Sequence, residues 1–303
     1  MRKLLFLKIL IFILFLSSGL LSQEKYCEMK VDKTKRTYIK YIPANIKQGA
    51  PLLIVLHGHG GTGKMMMNHT GFNEIADREK FIVVYPDGID KGWNDFRKEI
   101  NEKYDDAEFI KELIEKIHVE EKIDTSRIYA TGISNGGFFS LYLANKLNGR
   151  ITAIAPVTAN LPEKLYNIYK LEKPVSLMLI NGTKDPLVPY DGGKIGFKNG
   201  KSRGNAVSTD KTISKFVSLN NCNTVPKEEQ FKDTDPDDDC TAVKYTYTGG
   251  LNNSEVVLIK VINGGHTWPG GSQYLPIFVV GNLCKDFSAS EEIWNFFKGK
   301  KKE

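Results

Sequence analysis

The chain has 303 residues, 41% of them hydrophobic and 26% charged. That is ordinary globular composition with enough apolar material for a sizeable core, which excludes a disordered or fibrous chain. The formal net charge is +6, but the basic residues are scattered and partly gathered in the tail KGKKKE. No stripe of interleaved arginine and aromatic residues is present, so no nucleic-acid partner is expected.

Arg2 and Lys3 precede an apolar run, Leu4 to Leu21, that ends near Ser17-Ser18-Gly19. A retained membrane anchor is the rival reading, because the run is nearly long enough to span. Lys8 interrupts it and small residues end it, which predicts a cleaved secretory signal. The expectation is a signal peptide over 1–22, a single catalytic domain over 23–303, a secreted or periplasmic location and no stable membrane anchor. Outside the cytosol four cysteines can pair. Cys222 and Cys240 flank a polar loop and are the expected disulfide, which leaves Cys27 and Cys284.

RTYIKYIP alternates like an early antiparallel strand. PLLIVLHGHGG, KFIVVYPDG, SRIYATG, RITAIAPV and PVSLMLING are short uninterrupted apolar runs, the pattern of strands buried on both faces. Amphipathic helices fall between them. One carries Phe109, Ile110, Leu113, Ile114 and Ile117, another Phe139, Tyr142, Leu143 and Leu147. Asp105-Asp106 reads as a helix cap, and Ser288 or Ser290 caps the last helix. The alternation predicts an α/β fold with a mostly parallel central sheet and helices on both faces. Gly192 to Gly204 is polar and glycine-rich and reads as a loop or an excursion between late sheet elements.

One of these strands runs into Gly132-Ile133-Ser134-Asn135-Gly136, which fits G-x-S-x-G. In that motif the serine sits on a sharp strand-to-helix turn, as in the α/β-hydrolase fold. A hydroxyl becomes a nucleophile only when a base takes its proton, and the base needs an acid to fix its tautomer. The hydrolase order is serine, acid, histidine. Of five histidines only His266 follows Ser134, in GGHTWPG after a strand-like run. Asp185 follows the strand in PVSLMLINGTKDPLVPY, with Asp191 as its nearest rival. The acidic run from Asp233 to Asp239 lies away from any strand end and reads as a solvated loop rather than a calcium site. The backbone N–H of Asn135 and an amide of the glycine-rich loop after the first buried strand, His59 before Gly60, are the expected oxyanion donors. That loop lacks a Gly-Lys-Ser/Thr ending, which argues against nucleotide binding.

LLIVLHGHGGTG, GFNEIADREKFIVVYPDG, WNDF, RIYATGISNGG, NGTKDPLVPYDGG and GGHTWPG occur in order. Together they resemble the secreted polyhydroxybutyrate depolymerase and feruloyl esterase group of α/β-hydrolases, from about Tyr38 to the last helix. The resemblance implies Ser134 as nucleophile, Asp185 as acid and His266 as base. It implies Trp93 and Trp268 as substrate-site aromatics. The family often has a cysteine where His59 stands here. It further implies a serine esterase that needs no cofactor or metal. The substrate would be a feruloyl or acetyl ester of plant cell-wall polysaccharide or, alternatively, a polyhydroxyalkanoate. A non-catalytic binding protein on the same fold is the rival of another class.

Overall fold

A computed structural model describes residues 21–97, 103–197 and 200–302. The expected signal at 1–22 lies, apart from its last two residues, outside the described part. Among the described residues no helix is long and apolar enough to cross a membrane.

Ten strands form one sheet. In chain order they are β1 (Gln23–Val31), β2 (Thr34–Ile42), β3 (Leu52–Leu56), β4 (Ile82–Pro86), β5 (Ile128–Ile133), β6 (Ala153–Val157), β7 (Ser176–Gly182), β10 (Lys227–Gln230), β11 (Thr241–Tyr247) and β12 (Val256–Ile262). A separate two-stranded ribbon, β8 (Gly193–Lys194) with β9 (Asn205–Ala206), projects between them. The order across the large sheet is β1-β2-β4-β3-β5-β6-β7-β12-β11-β10. The six strands from β4 to β12 are parallel, and antiparallel strands extend both edges.

The continuous apolar runs follow from burial on two sides. Within β3, Leu52, Ile54 and Leu56 belong to one core layer and Leu53 and Val55 to the other. The first layer is covered by α3 (Asp106–Glu121), α4 (Asn135–Lys146) and α6 (Thr209–Asn220). The second is covered by α1 (Gly63–Thr70), α2 (Phe72–Glu79) and α8 (Ala289–Phe297). Two short helices, α5 (Glu163–Ile168) and α7 (Ile277–Val280), complete the α-helices among the described residues.

Asp105 caps α3 by accepting from Glu108 N, as read from the sequence, and Ser288 caps α8 through Glu291 N. Asp106 does something else. Its carboxylate is buried, pairs with Arg36 Nη2 at 2.5 Å and accepts from Asn94 N at 2.7 Å, so it ties β2 to the loop before α3. Burial pushes its pKa up, against the pull of Arg36.

The cysteine expectation needs correction. All four cysteines are free thiols. Cys222 follows α6 in one core layer, whereas Cys240 lies in the other with Cys284, so the sheet separates the expected pair. Cys27 sits on β1 beside Tyr38.

Candidate active site

β5 delivers Ser134 at its carboxyl end, and α4 starts one residue later. Ser134 has φ +55° and ψ −121°, a conformation that disfavours any side chain. Such strain costs on the order of 1–3 kcal/mol and persists only where the surroundings impose it. They do so here through Ser134 N, which donates to Val157 O at 2.9 Å, and Ser134 O, which accepts from Phe138 N at 2.8 Å. The flanking glycines allow close approach rather than freedom. A Cβ on Gly132 would lie 2.6 Å from Leu56 O, and one on Gly136 would lie 2.4 Å from the same oxygen. Gly136→Ala is therefore expected to force β3 and α4 apart and cost about 2–3 kcal/mol, measured as a lower urea midpoint.

Asp185 leaves the carboxyl end of β7, two strands from β5 in the sheet order. Its Oδ1 accepts from Leu187 N and Val188 N, both at 2.8 Å. Its Oδ2 takes His266 Nδ1 at 2.7 Å. That bond places the imidazole proton on Nδ1 and leaves Nε2 as the unprotonated nitrogen. His266 follows β12, the neighbour of β7, and both side chains are nearly inaccessible, at 3% and 2% exposure. Tyr274 steadies the loop by donating its hydroxyl to His266 O at 2.8 Å. All three residues thus leave the same edge of four adjacent parallel strands. Ser134 Oγ makes no hydrogen bond among the described residues; such contacts often close only around substrate. Asp191 is exposed, and Asp235 is engaged by Lys285 at 2.6 Å, so neither rival meets the histidine.

The loop after β3 is anchored by His57. Its Nε2 accepts from Gly88 N at 2.9 Å, so Nδ1 carries the proton and donates to Gly58 O at 2.8 Å. Burial lowers the pKa of this imidazole below its ordinary 6.5. A depressed base in the folded state means that the unfolded chain takes up the proton first. His57 therefore contributes full stability above about pH 6.5, and the contribution is lost as pH falls toward the folded value. Urea midpoints are expected to drop below that pH, with a shallower drop in His57→Gln. Gly60 N donates to Lys91 O at 2.7 Å and is not available to a ligand. The amides of His59 and Asn135 donate to nothing among the described residues.

Sequence reading missed the side chain of Asn135. Its Oδ1 accepts from Trp93 N at 2.8 Å, and its Nδ2 donates to Trp93 O at 3.1 Å and to Asp95 Oδ2 at 2.7 Å. The residue after the serine thus clamps segment 93–95 against the turn. Asp95 in turn forks with the Arg97 guanidinium, and both are buried. The polar residues of WNDF were the available signal.

The two tryptophans expected at the substrate are core residues instead. Trp93 is 0% exposed, donates Nε1 to His57 O and stacks on Phe139. Trp268 is 1% exposed, donates Nε1 to Ser290 Oγ and meets Phe72 edge-on. Neither offers a ring face to a ligand. The walls in front of Ser134 come from His59, Arg97, Leu187, Val188, Phe197 and Arg203. They enclose a cleft of about 20 Å³, room for little more than one water. Phe197 and Arg203 lie between β8 and β9, inside the segment read from the sequence as a loop or an excursion.

A family model described as phospholipase/carboxylesterase matches residues 37–215. NocK of Nocardia uniformis subsp. tsuyamanensis, which carries an esterase name, is 28% identical over 263 residues, 84% of this chain and 76% of NocK. The bifunctional acetylxylan esterase/xylanase XynS20E of Neocallimastix patriciarum is 27% identical over 183 residues, 60% of this chain and 26% of that protein, so the match spans about a quarter of its length. Further relatives are named feruloyl esterase and poly(3-hydroxyalkanoate) depolymerase. Among solved structures, an acetyl xylan esterase from Aspergillus awamori superposes with a TM-score of 0.55 at 11% identity, covering 78% of this chain and 92% of that one. That likeness places the sheet and its helices in the α/β-hydrolase fold.

Proposed function

The chain belongs to the phospholipase/carboxylesterase family and is a carboxylic ester hydrolase, and from that premise we propose that it is a secreted serine esterase acting on small acyl esters of polysaccharide. In this reading residues 1–22 direct export and 23–303 form one catalytic domain. His266 Nε2 removes the proton of Ser134 Oγ as the oxygen attacks the ester carbon. The amides of His59 and Asn135 receive the oxyanion, with the positive end of α4 behind them. The imidazolium, held by Asp185, then protonates the leaving alcohol. Deacylation repeats the steps with water as the nucleophile.

The observation that supports this most is the buried bond between His266 Nδ1 and Asp185 Oδ2 at 2.7 Å, on the sheet edge that presents a strained Ser134. The narrow cleft favours acetyl over feruloyl, since a methyl fits where a phenylpropenoyl group would need Phe197 and Arg203 to move. A second reading, polyhydroxyalkanoate hydrolysis, is favoured by Ile277 and Phe278, 59% and 89% exposed on the helix after the His266 loop. The test is a panel of 4-nitrophenyl acetate, acetylated xylooligomers, methyl ferulate and hydroxybutyrate oligomers. Acetyl esters are expected to give the highest kcat/KM. Fastest turnover of methyl ferulate would overturn the small-acyl reading. Ligand binding without any turnover would point to a non-catalytic protein.

A further inference from the structure

The cleft in front of Ser134 has an unbalanced charge. Arg97 and Arg203 both line it, together with the exposed His59. Arg97 is already matched: its guanidinium forks onto Asp95, lies 3.9 Å over the Phe138 ring and donates from Nη1 to Arg203 O. The Arg203 guanidinium has no carboxylate among the described residues. Asp95 is committed to Arg97 and Asn135. Glu163, on the far side of Arg97, accepts from Asn205. Burial and the two guanidiniums lower the pKa of His59, so it does not offset their charge. One positive charge is therefore left half-buried beside the nucleophile, where desolvation and Arg97 both act against it.

Nor is Arg203 a loose surface arginine. Its N donates to Ile195 O at 3.0 Å, and its O accepts from Arg97 Nη1 at 3.1 Å. The peptide groups on both sides of its Cα are held, which fixes where the side chain leaves the backbone at the rim of the cleft. A partly buried guanidinium with no carboxylate partner is a receptor for a planar anion.

We propose that Arg203 determines specificity by receiving a carboxylate of the ester substrate, so that the preferred esters carry an anionic group close to the carbonyl under attack. The assignment rests on the reading of Ser134 as an esterase nucleophile. Two sources supply such chemistry: the free acid end of a hydroxyalkanoate oligomer, and a uronate beside an acetylated sugar. Two matched pairs separate them. One is the 3-hydroxybutyrate dimer against its methyl ester. The other is acetylated xylooligomers with and without a neighbouring glucuronate. In at least one pair the charged member is expected to show about tenfold higher kcat/KM or more, with the preference shrinking as salt is added. Arg203→Gln should collapse that ratio, and Arg203→Lys should keep part of it. Equal turnover within both pairs, or a preference that survives Arg203→Gln, overturns the assignment. Hydrolysis of 4-nitrophenyl acetate is the control. If no ester is cleaved at all, the esterase reading fails first and this assignment falls with it.

On the face of the sheet away from Cys222, Cys240 and Cys284 are neighbours in one core layer. Both are buried. The Asp238 carboxylate holds their backbones side by side, since Oδ1 accepts from Cys240 N at 2.8 Å and Oδ2 from Lys285 N at 2.7 Å. We infer that these two thiols are joined as a disulfide when the chain folds in an oxidising compartment, stapling the start of β11 to the segment that leads into α8. The oxidant is a thiol–disulfide carrier such as oxidised glutathione. One cysteine thiolate attacks its disulfide and releases one carrier thiol. The second cysteine thiolate then displaces the other. Two electrons and two protons leave the protein, and the carrier ends as two thiols. The neighbouring thiol and burial raise the Cys240 pKa, which favours closure during folding over closure afterwards. The full chain, refolded with a glutathione redox pair, is denatured, alkylated without reduction and digested for mass spectrometry. The expected result is alkylation at Cys27 and Cys222 only, a linked Cys240–Cys284 peptide, and a Tm about 5–10 °C lower in Cys284→Ser. Alkylation of all four thiols, or a linkage to Cys222 or Cys27, overturns the inference.

Discussion

Ser134→Ala is expected to lower kcat toward 4-nitrophenyl acetate by about 10⁵–10⁶-fold while leaving the protein folded. The variant keeps the amides of His59 and Asn135 and the bond between Asp185 and His266, so a small residual rate above water should remain. What disappears is the covalent route, which no neighbouring hydroxyl can replace. Thr158 Oγ1 accepts from Ser134 N at 3.2 Å, on the buried side of the turn away from the cleft. A second variant separates the two properties of this residue. Alanine inherits the φ of +55° and gains nothing from it. Glycine adopts that region freely, so Ser134→Gly should be equally inactive yet more stable than Ser134→Ala by about 1 kcal/mol. Urea midpoints of the two variants measure this. Retained turnover in Ser134→Ala would remove the serine from the mechanism. Equal stability of the two variants would show that the turn stores no strain.

The parallel centre of the sheet was legible because strands buried on both faces have to be apolar throughout, and β3 to β7 announce themselves as unbroken runs. Of the added edge strands, β2 was legible from its alternation, but β1 and β10 were not. In β1 exposed charged residues alternate with half-buried ones, and β10 is wholly exposed, so neither looks apolar. That gap also spoiled the cysteine pairing. Which layer Cys240 faces depends on the register of β11 against β12, and a shift of one residue reverses the face. Ser134 and His266 were readable from chain order and local glycines. Asp185 was not separable from Asp191 by spacing alone. The choice turns on a turn that aims Leu187 N and Val188 N at one carboxylate. The tryptophans were misread because an indole in a glycine-rich loop looks the same on paper whether it faces solvent or the core. Arg203 gave no signal, since its meaning depends on Asp95 being committed elsewhere.

Asp185→Asn is expected to cost about 10⁴-fold in kcat with little change in KM. The reason is the direction of one hydrogen bond. The Oδ1 side of the carboxylate faces two N–H donors, from Leu187 and Val188, so the amide oxygen of asparagine has to take that position. Its NH₂ then points at His266 Nδ1, which can stay close only as an acceptor. The imidazole proton moves to Nε2, and the nitrogen needed to deprotonate Ser134 is blocked. Because the two backbone bonds survive, the urea midpoint should change little, so lost activity cannot be assigned to unfolding. Asp185→Ala makes a useful contrast. It frees the tautomer but abandons both backbone donors in a buried turn, so it should be less stable than the asparagine variant by about 1–3 kcal/mol. Groups that act as one unit are not additive. Ser134→Ala combined with Asp185→Asn should therefore be no slower than Ser134→Ala alone. If the double variant were slower by the product of the two losses, Asp185 would be acting on the reaction by some route other than His266 and the hydroxyl, and the proposed relay would be wrong even with every distance in place.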